Sequence, residues 1–138
     1  MAQATAVNRM RKIHPLFLVP DVVKTAEYYR DVLGFRFERY WGAPPCFCIV
    51  HRDSIGIFLK QPECPGESAL RPNGRSGDWD AYIDVDNADA MCAELRANGA
   101  KIVREPETAV YQQREFEVED LNGYWLCFAQ DTSGDPAT

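Results

Sequence analysis

Two stretches of equal length decide the fold: DVVKTAEYYRDVLG at residues 21–34 and DNADAMCAELRANG at residues 86–99. Each opens on an aspartate suited to accept the free N–H groups of a helix's first turn. Each closes on a glycine, the residue that best adopts the left-handed conformation just past a helix end. Apolar side chains recur between them at helical spacing: Val22, Ala26, Tyr29, Val32 and Leu33 in the first, Ala90, Met91, Leu95 and Ala97 in the second. Asp86 lies 65 positions after Asp21, and Gly99 lies 65 after Gly34. A repeat of this length predicts two copies of one supersecondary unit, each covering what the other cannot bury.

The flanking residues repeat in the same order. Ile13 to Val19 is short and apolar and precedes the first helix; Ala81 to Val85 precedes the second. Phe35 to Tyr40 alternates with period two after the first helix, and Ala100 to Val103 starts a strand after the second. Phe47–Val50 with Ile55–Leu59, and Phe116–Glu119 with Tyr124–Phe128, read as hairpins; Asn122-Gly123 in the latter is a strong turn signal. The prediction is an α+β domain of two βαβββ modules. Module 1 covers about 11–61 and module 2 about 79–131, within one domain at 11–131. Residues 1–10 and 132–138 read as tails, and the Pro- and Gly-rich stretch 62–78 as a linker.

With 138 residues the chain is long enough to bury a hydrophobic core, and its 46% hydrophobic and 26% charged residues are those of a folded domain. A formal charge of −6 argues against nucleic acid, which needs a basic stripe, and against an anionic lipid surface. No apolar run approaches the length of a membrane span or a signal core. Five cysteines (46, 48, 64, 92 and 127) are an odd count without disulfide or zinc spacing, so reduced thiols and a cytoplasmic location are expected. There is no phosphate-cradling glycine loop and no Gly-x-Ser-x-Gly elbow.

Three stretches together resemble the glyoxalase/bleomycin-resistance/dioxygenase (vicinal oxygen chelate) superfamily: His14 to Phe35, Tyr82 to Ala100, and Arg114 to Leu126. The resemblance spans roughly residues 12 to 130. It implies an eight-stranded open barrel or cup with helices outside, a ligand or metal on the concave face, and often a homodimer. The stretch Gln112 to Phe116 is most similar to the bleomycin-resistance branch.

In metal-dependent members of that superfamily, the first and last strands of each module carry the ligands. The resemblance places His14, Phe58, Asp80 and Cys127 at these positions, so only one of the four holds a usual ligand. Phe58 has no donor atom. His14, Asp80 and Cys127 remain as an alternative three-residue set for a divalent metal. Strand alternation then groups Leu16 and Leu18 with His14, Gly56 and Lys60 with Phe58, Tyr82 and Asp84 with Asp80, and Trp125 and Ala129 with Cys127. Glu115 and Glu117 point to the same cup if they alternate against Phe116 and Val118, and Trp41, Phe47 and Tyr111 wall its edges. These residues predict a pocket that stacks on an organic ligand and adds a few polar contacts.

The expected function is a small-molecule binding protein without a cofactor. Its ligand is partly aromatic and, by the acidity of the chain, cationic. The ligand-binding residues are His14, Trp41, Phe58, Asp80, Tyr82, Asp84, Trp125 and Cys127, and no residue is assigned to catalysis. The alternative is a metal-dependent lyase, isomerase or dioxygenase with an atypical ligand set.

Overall fold

Alternation along each strand separates an apolar face from a mixed one, and the computed structural model packs the apolar faces beneath two helices. It describes residues 8–62 and 79–134. The expected linker therefore lies outside the described residues apart from Pro62, as do positions 1–7 and 135–138 of the expected tails. The first module consists of β1 (Leu16–Leu18), α1 (Val22–Asp31), β2 (Tyr40–Trp41), β3 (Phe47–Arg52) and β4 (Ile55–Lys60). The second consists of β5 (Ala81–Asp84), α2 (Ala88–Ala97), β6 (Lys101–Thr108), β7 (Gln113–Glu119) and β8 (Trp125–Asp131).

Each module forms its own four-stranded sheet, in the orders β1-β4-β3-β2 and β5-β8-β7-β6. The expected cup is thus built from two sheets rather than one closed barrel. In each sheet the first and last strands of the module pair in parallel, Leu16 opposite Phe58 and Tyr82 opposite Cys127. The core is continuous across both modules: Phe17, Val22, Tyr29, Val50, Ile57 and Leu59 join Ile83, Leu95, Phe116, Val118, Leu126 and Phe128.

The helix caps refine the repeat. Asp21 caps α1 as expected, its side chain accepting from Lys24 N–H at 3.0 Å. The cap of α2 is Asn87 and not Asp86, because Asn87 has the extended backbone of a cap and its Oδ1 takes the Ala90 N–H at 2.9 Å. Asp86 sits one residue too early for that bond. Two further donors of the first turns are met from the far ends of the modules. Val22 N–H donates to Gln61 Oε1 at 2.8 Å, and Ala88 N–H donates to Gln130 Oε1 at 2.9 Å. Each cap substitution to Ala would cost about 1 kcal/mol.

Phe35 to Tyr40 does not run as the continuous strand its alternation suggests. Phe35 N–H closes the end of α1 by donating to Tyr29 O, and Arg36 exchanges two backbone bonds with His51 as an isolated bridge. Only Tyr40 and Trp41 then join the ladder.

The modules interlock through their hairpin turns. The turn between β7 and β8 reaches α1: Tyr29 Oη donates to Asp120 Oδ2 at 2.6 Å and Asn122 Nδ2 to Thr25 Oγ1 at 2.9 Å. Tyr124 stacks on Phe17 at 4.1 Å and donates its hydroxyl to Leu18 O. Reciprocally, Arg52, the last residue of β3 before the turn into β4, makes a bidentate pair with Glu94 of α2, at 2.8 and 3.0 Å, and also donates to Leu33 O.

The two helix-stopping glycines give a contrast that is open to test. Gly34 and Gly99 have φ of +80° and +96°, so a side chain strains either one. A Cβ at Gly34 would also come within 2.5 Å of Arg52 Nη1, whereas none of the described residues comes within 4 Å of one at Gly99. Gly99→Ala is expected to cost about 1 kcal/mol and Gly34→Ala about 2–3 kcal/mol, read as midpoint shifts in urea unfolding. Equal losses would show that the Arg52–Glu94 pair does not confine Gly34.

Candidate functional site

The face of the first sheet turned away from α1 carries a row of rings, because period-two alternation brings one from each neighbouring strand to the same side. His14 stacks on Phe58 with ring centroids 4.7 Å apart. Phe47 meets Phe58 edge-on at 5.4 Å, and Trp41 meets Phe47 at 5.6 Å. The Arg39 guanidinium lies 4.4 Å above the Trp41 ring and ends the row. Gly56 makes room for His14, since a Cβ there would stand 3.2 Å from the imidazole Cδ2. Leu16, on the same face, is half exposed.

The corresponding face of the second sheet is polar and tightly bonded. Glu115 and Glu117, at 1% and 3% exposure, share the guanidinium of Arg104. Arg104 Nη2 donates to Glu115 Oε1 at 2.8 Å, and Arg104 Nε to Glu117 Oε2 at 2.9 Å. The hydroxyls of Tyr82 and Tyr111 both donate to the other Glu115 oxygen, at 2.7 and 2.8 Å. Burial alone would raise the Glu115 pKa, but the bonds from Tyr82, Arg104 and Tyr111 outweigh it and hold the carboxyl below its usual range. Glu115 and Glu117 therefore face the cup, as the alternation suggests. Cys127, opposite Glu117, is fully buried; burial first and the two glutamates next push its thiol up to about 12.

Asp80 is occupied at the start of β5, where its Oδ2 accepts the Trp125 N–H at 2.8 Å. The Trp125 indole donates to Glu119 Oε1 at 2.8 Å, and Trp79 leans on Tyr82 at 5.0 Å. All three tryptophans of the chain thus border this side of the two sheets.

A cavity of about 460 Å³ opens where the sheets adjoin. It is lined by His14 and Gly56 from the first module and by Tyr82 and Asp84 from the second, with Arg11 and Lys12 at its edge. Of the residues expected to bind ligand, the structure brings His14, Tyr82 and Asp84 to this cavity. Phe58 adjoins it through its stack with His14, Trp41 lies at the far end of the ring row, and Asp80, Trp125 and Cys127 lie on the second sheet outside its lining. Arg104, which organises the polar face, is absent from the sequence-based assignment.

The four positions where the resemblance implies a divalent metal do not fit one. Phe58 offers no donor and is held between two rings, Asp80 already caps a backbone N–H, and the Cys127 thiol is strongly disfavoured as a thiolate. Among the described residues no three His, Cys, Asp or Glu side chains gather as a ligand set, so the alternative set of His14, Asp80 and Cys127 is not brought together. No helix among the described residues is long and apolar enough to cross a membrane.

Solved structures share this arrangement of two modules. TioX from Micromonospora sp. ML1 superposes with a TM-score of 0.67 at 18% identity, over 87% of this chain and 99% of that one. A glyoxalase-related enzyme from Clostridium phytofermentans gives 0.70 at 17% identity, over 89% and 96%. A superfamily member from Sphaerobacter thermophilus gives 0.69 at 19% identity, over 88% and 98%. At these identities the likeness is one of fold. None of the curated proteins matches the chain. A family model described as Glyoxalase/Bleomycin resistance protein/Dioxygenase superfamily matches residues 12–128. By that match, over most of its length, the chain belongs to the glyoxalase/bleomycin resistance protein/dioxygenase superfamily.

Proposed function

We propose that the protein is a metal-independent binding protein for a small, partly aromatic molecule. The observation that carries this reading is the row His14–Phe58–Phe47–Trp41. It puts an aromatic ring at a position where metal-dependent relatives carry a carboxylate, and so turns a chelating face into a stacking one. Two glutamates against one arginine on the facing sheet favour a cationic group on that side of the ligand. A second copy of the chain completes the cup, which accounts for half-exposed Leu16 and exposed Trp41 and Tyr111 along its rim. The four cysteines among the described residues are free and three of them are buried, which suits the reducing cytoplasm.

Tryptophan fluorescence tests the reading, since every tryptophan borders the face. Titration of the full chain with proflavine, a planar cationic diaminoacridine, is expected to give saturable quenching. Phe58→Ala removes the central ring and should weaken binding about tenfold. Absence of saturable quenching, or an unchanged affinity in the variant, would overturn the stacking role. A strictly monomeric solution mass with and without the dye would overturn the shared cup.

A further inference from the structure

The direction of the hydrogen bonds around Glu115 has a consequence for what the cavity accepts. Arg104 donates to Glu115 Oε1 and cannot act as an acceptor. Glu115 is an ionised carboxylate, so it can only accept, and the hydroxyls of Tyr82 and Tyr111 on its Oε2 must both be donors. Tyr82 Oη also lies 3.5 Å from Gln113 Oε1, too far to compete with the 2.7 Å bond to Glu115. Tyr82 is the member of this network that lines the cavity, and it is 37% exposed there. Asp84, two residues on along β5 and on the same face, adds a second acceptor to that wall. The donors Arg11 and Lys12 belong to the segment before β1, on the first module's side of the cavity.

We propose that Tyr82 is the specificity-determining residue of this cavity: its hydroxyl proton is committed to Glu115, so it offers a ligand only an acceptor. The cavity then selects aromatic molecules that carry an N–H or O–H donor over those that carry a carboxylate. Glu115 is the positioning residue, acting through Tyr82, and Arg104 fixes Glu115. This rests on the binding reading given above and adds to it the polarity of the ligand. A carboxylate brought to Tyr82 would meet a phenol lone pair and the Asp84 charge, an unpaired contact that discriminates more strongly than a lost attraction.

The test compares two planar probes on the full chain by tryptophan quenching: proflavine, which has two amino groups, and 9-anthracenecarboxylate, which has none. The wild type is expected to prefer proflavine. Tyr82→Phe leaves the net charge unchanged, and it should weaken proflavine about tenfold while tightening 9-anthracenecarboxylate, whose carboxylate no longer meets the phenol lone pair. Glu115→Gln keeps the phenol but supplies an amide N–H to it, freeing the Tyr82 proton for a ligand. This second variant should tighten 9-anthracenecarboxylate relative to the wild type. Circular dichroism would confirm that both variants fold. If the wild type binds the probes and both variants keep its ratio of affinities, the role of Tyr82 is overturned while the binding reading stands. If the wild type binds neither probe, the binding reading itself fails and this inference fails with it.

Discussion

Replacing Arg104 with methionine is expected to destabilise the fold by about 3–5 kcal/mol, the range found when one partner of a buried ionic group is removed. The side chain bridges Glu115 and Glu117, which are 1% and 3% exposed, and among the described residues no other cation is bonded to either carboxylate. Methionine fills much of the same volume, so the loss would report charge rather than a cavity. The pH dependence gives an independent check. In the wild type Glu115 titrates below its usual range, so its contribution to stability is present at neutral pH and is lost as pH falls through its folded pKa. Without Arg104, burial would raise the Glu115 pKa, and the variant would regain stability on acidification. The gap between the two proteins should narrow as pH falls, and changing Glu115 and Glu117 to Gln in the variant should recover part of the loss. A loss under about 1 kcal/mol, independent of pH, would mean that the network is no better than a surface ion pair.

Asp120→Ala is expected to cost about 3–4 kcal/mol, because three donors lose their acceptor in the interlock between the modules. These are the Tyr29 hydroxyl and the backbone N–H groups of Asn122 and Tyr124, at 2.6, 2.8 and 2.9 Å. Asp120→Asn should cost far less, about 1 kcal/mol or below, since its oxygen still accepts from the backbone and its amide can donate to the Tyr29 oxygen. The two variants separate hydrogen bonding from charge. Burial chiefly, and then the nearby Asp80, raises the Asp120 pKa against the bonds that lower it. A raised acid favours folding most below its unfolded pKa, and that advantage is lost as pH rises through the folded value. Tyr28, Tyr29 and Asp80 are titratable groups that act on it, and Tyr28 and Tyr29, raised chiefly by burial, remain neutral throughout this range. The difference between Asp120→Asn and the wild type should therefore shift in the variant's favour as pH rises through the acid range, measured by thermal unfolding. A variant that loses as much as Asp120→Ala would show that the carboxylate's charge is required.

Much of the fold was legible because its signals are local. A cap, a helical stripe and a stopping glycine occur twice at matching distances, and the period-two runs on either side fix which residues share a face. That was enough to put His14 and Phe58 in one row and to turn Glu115 and Glu117 inward. The choice between Asp86 and Asn87 was not legible, since both are good caps and only the backbone conformation decides between them. Gln61 and Gln130 serve the helices from 39 and 42 positions away, which no local pattern reveals.

Arg104 was missed for a different reason. The pairing of β6 with β7 shifts register on both sides of it, between Ile102 and Arg104 and again between Arg104 and Glu107. Alternation is the only sequence signal for the face of a strand residue, and a shifted register erases it. The Arg104 side chain therefore reaches Glu115 and Glu117 from a strand whose pattern does not announce its direction.

We propose that an aromatic face, and not a metal, holds the ligand. The most direct measurement is a proflavine titration of the full chain before and after exhaustive chelation, with metal content measured on the same samples. Saturable quenching with the same affinity is expected in both. Binding that disappears on chelation and returns with a divalent metal would contradict it.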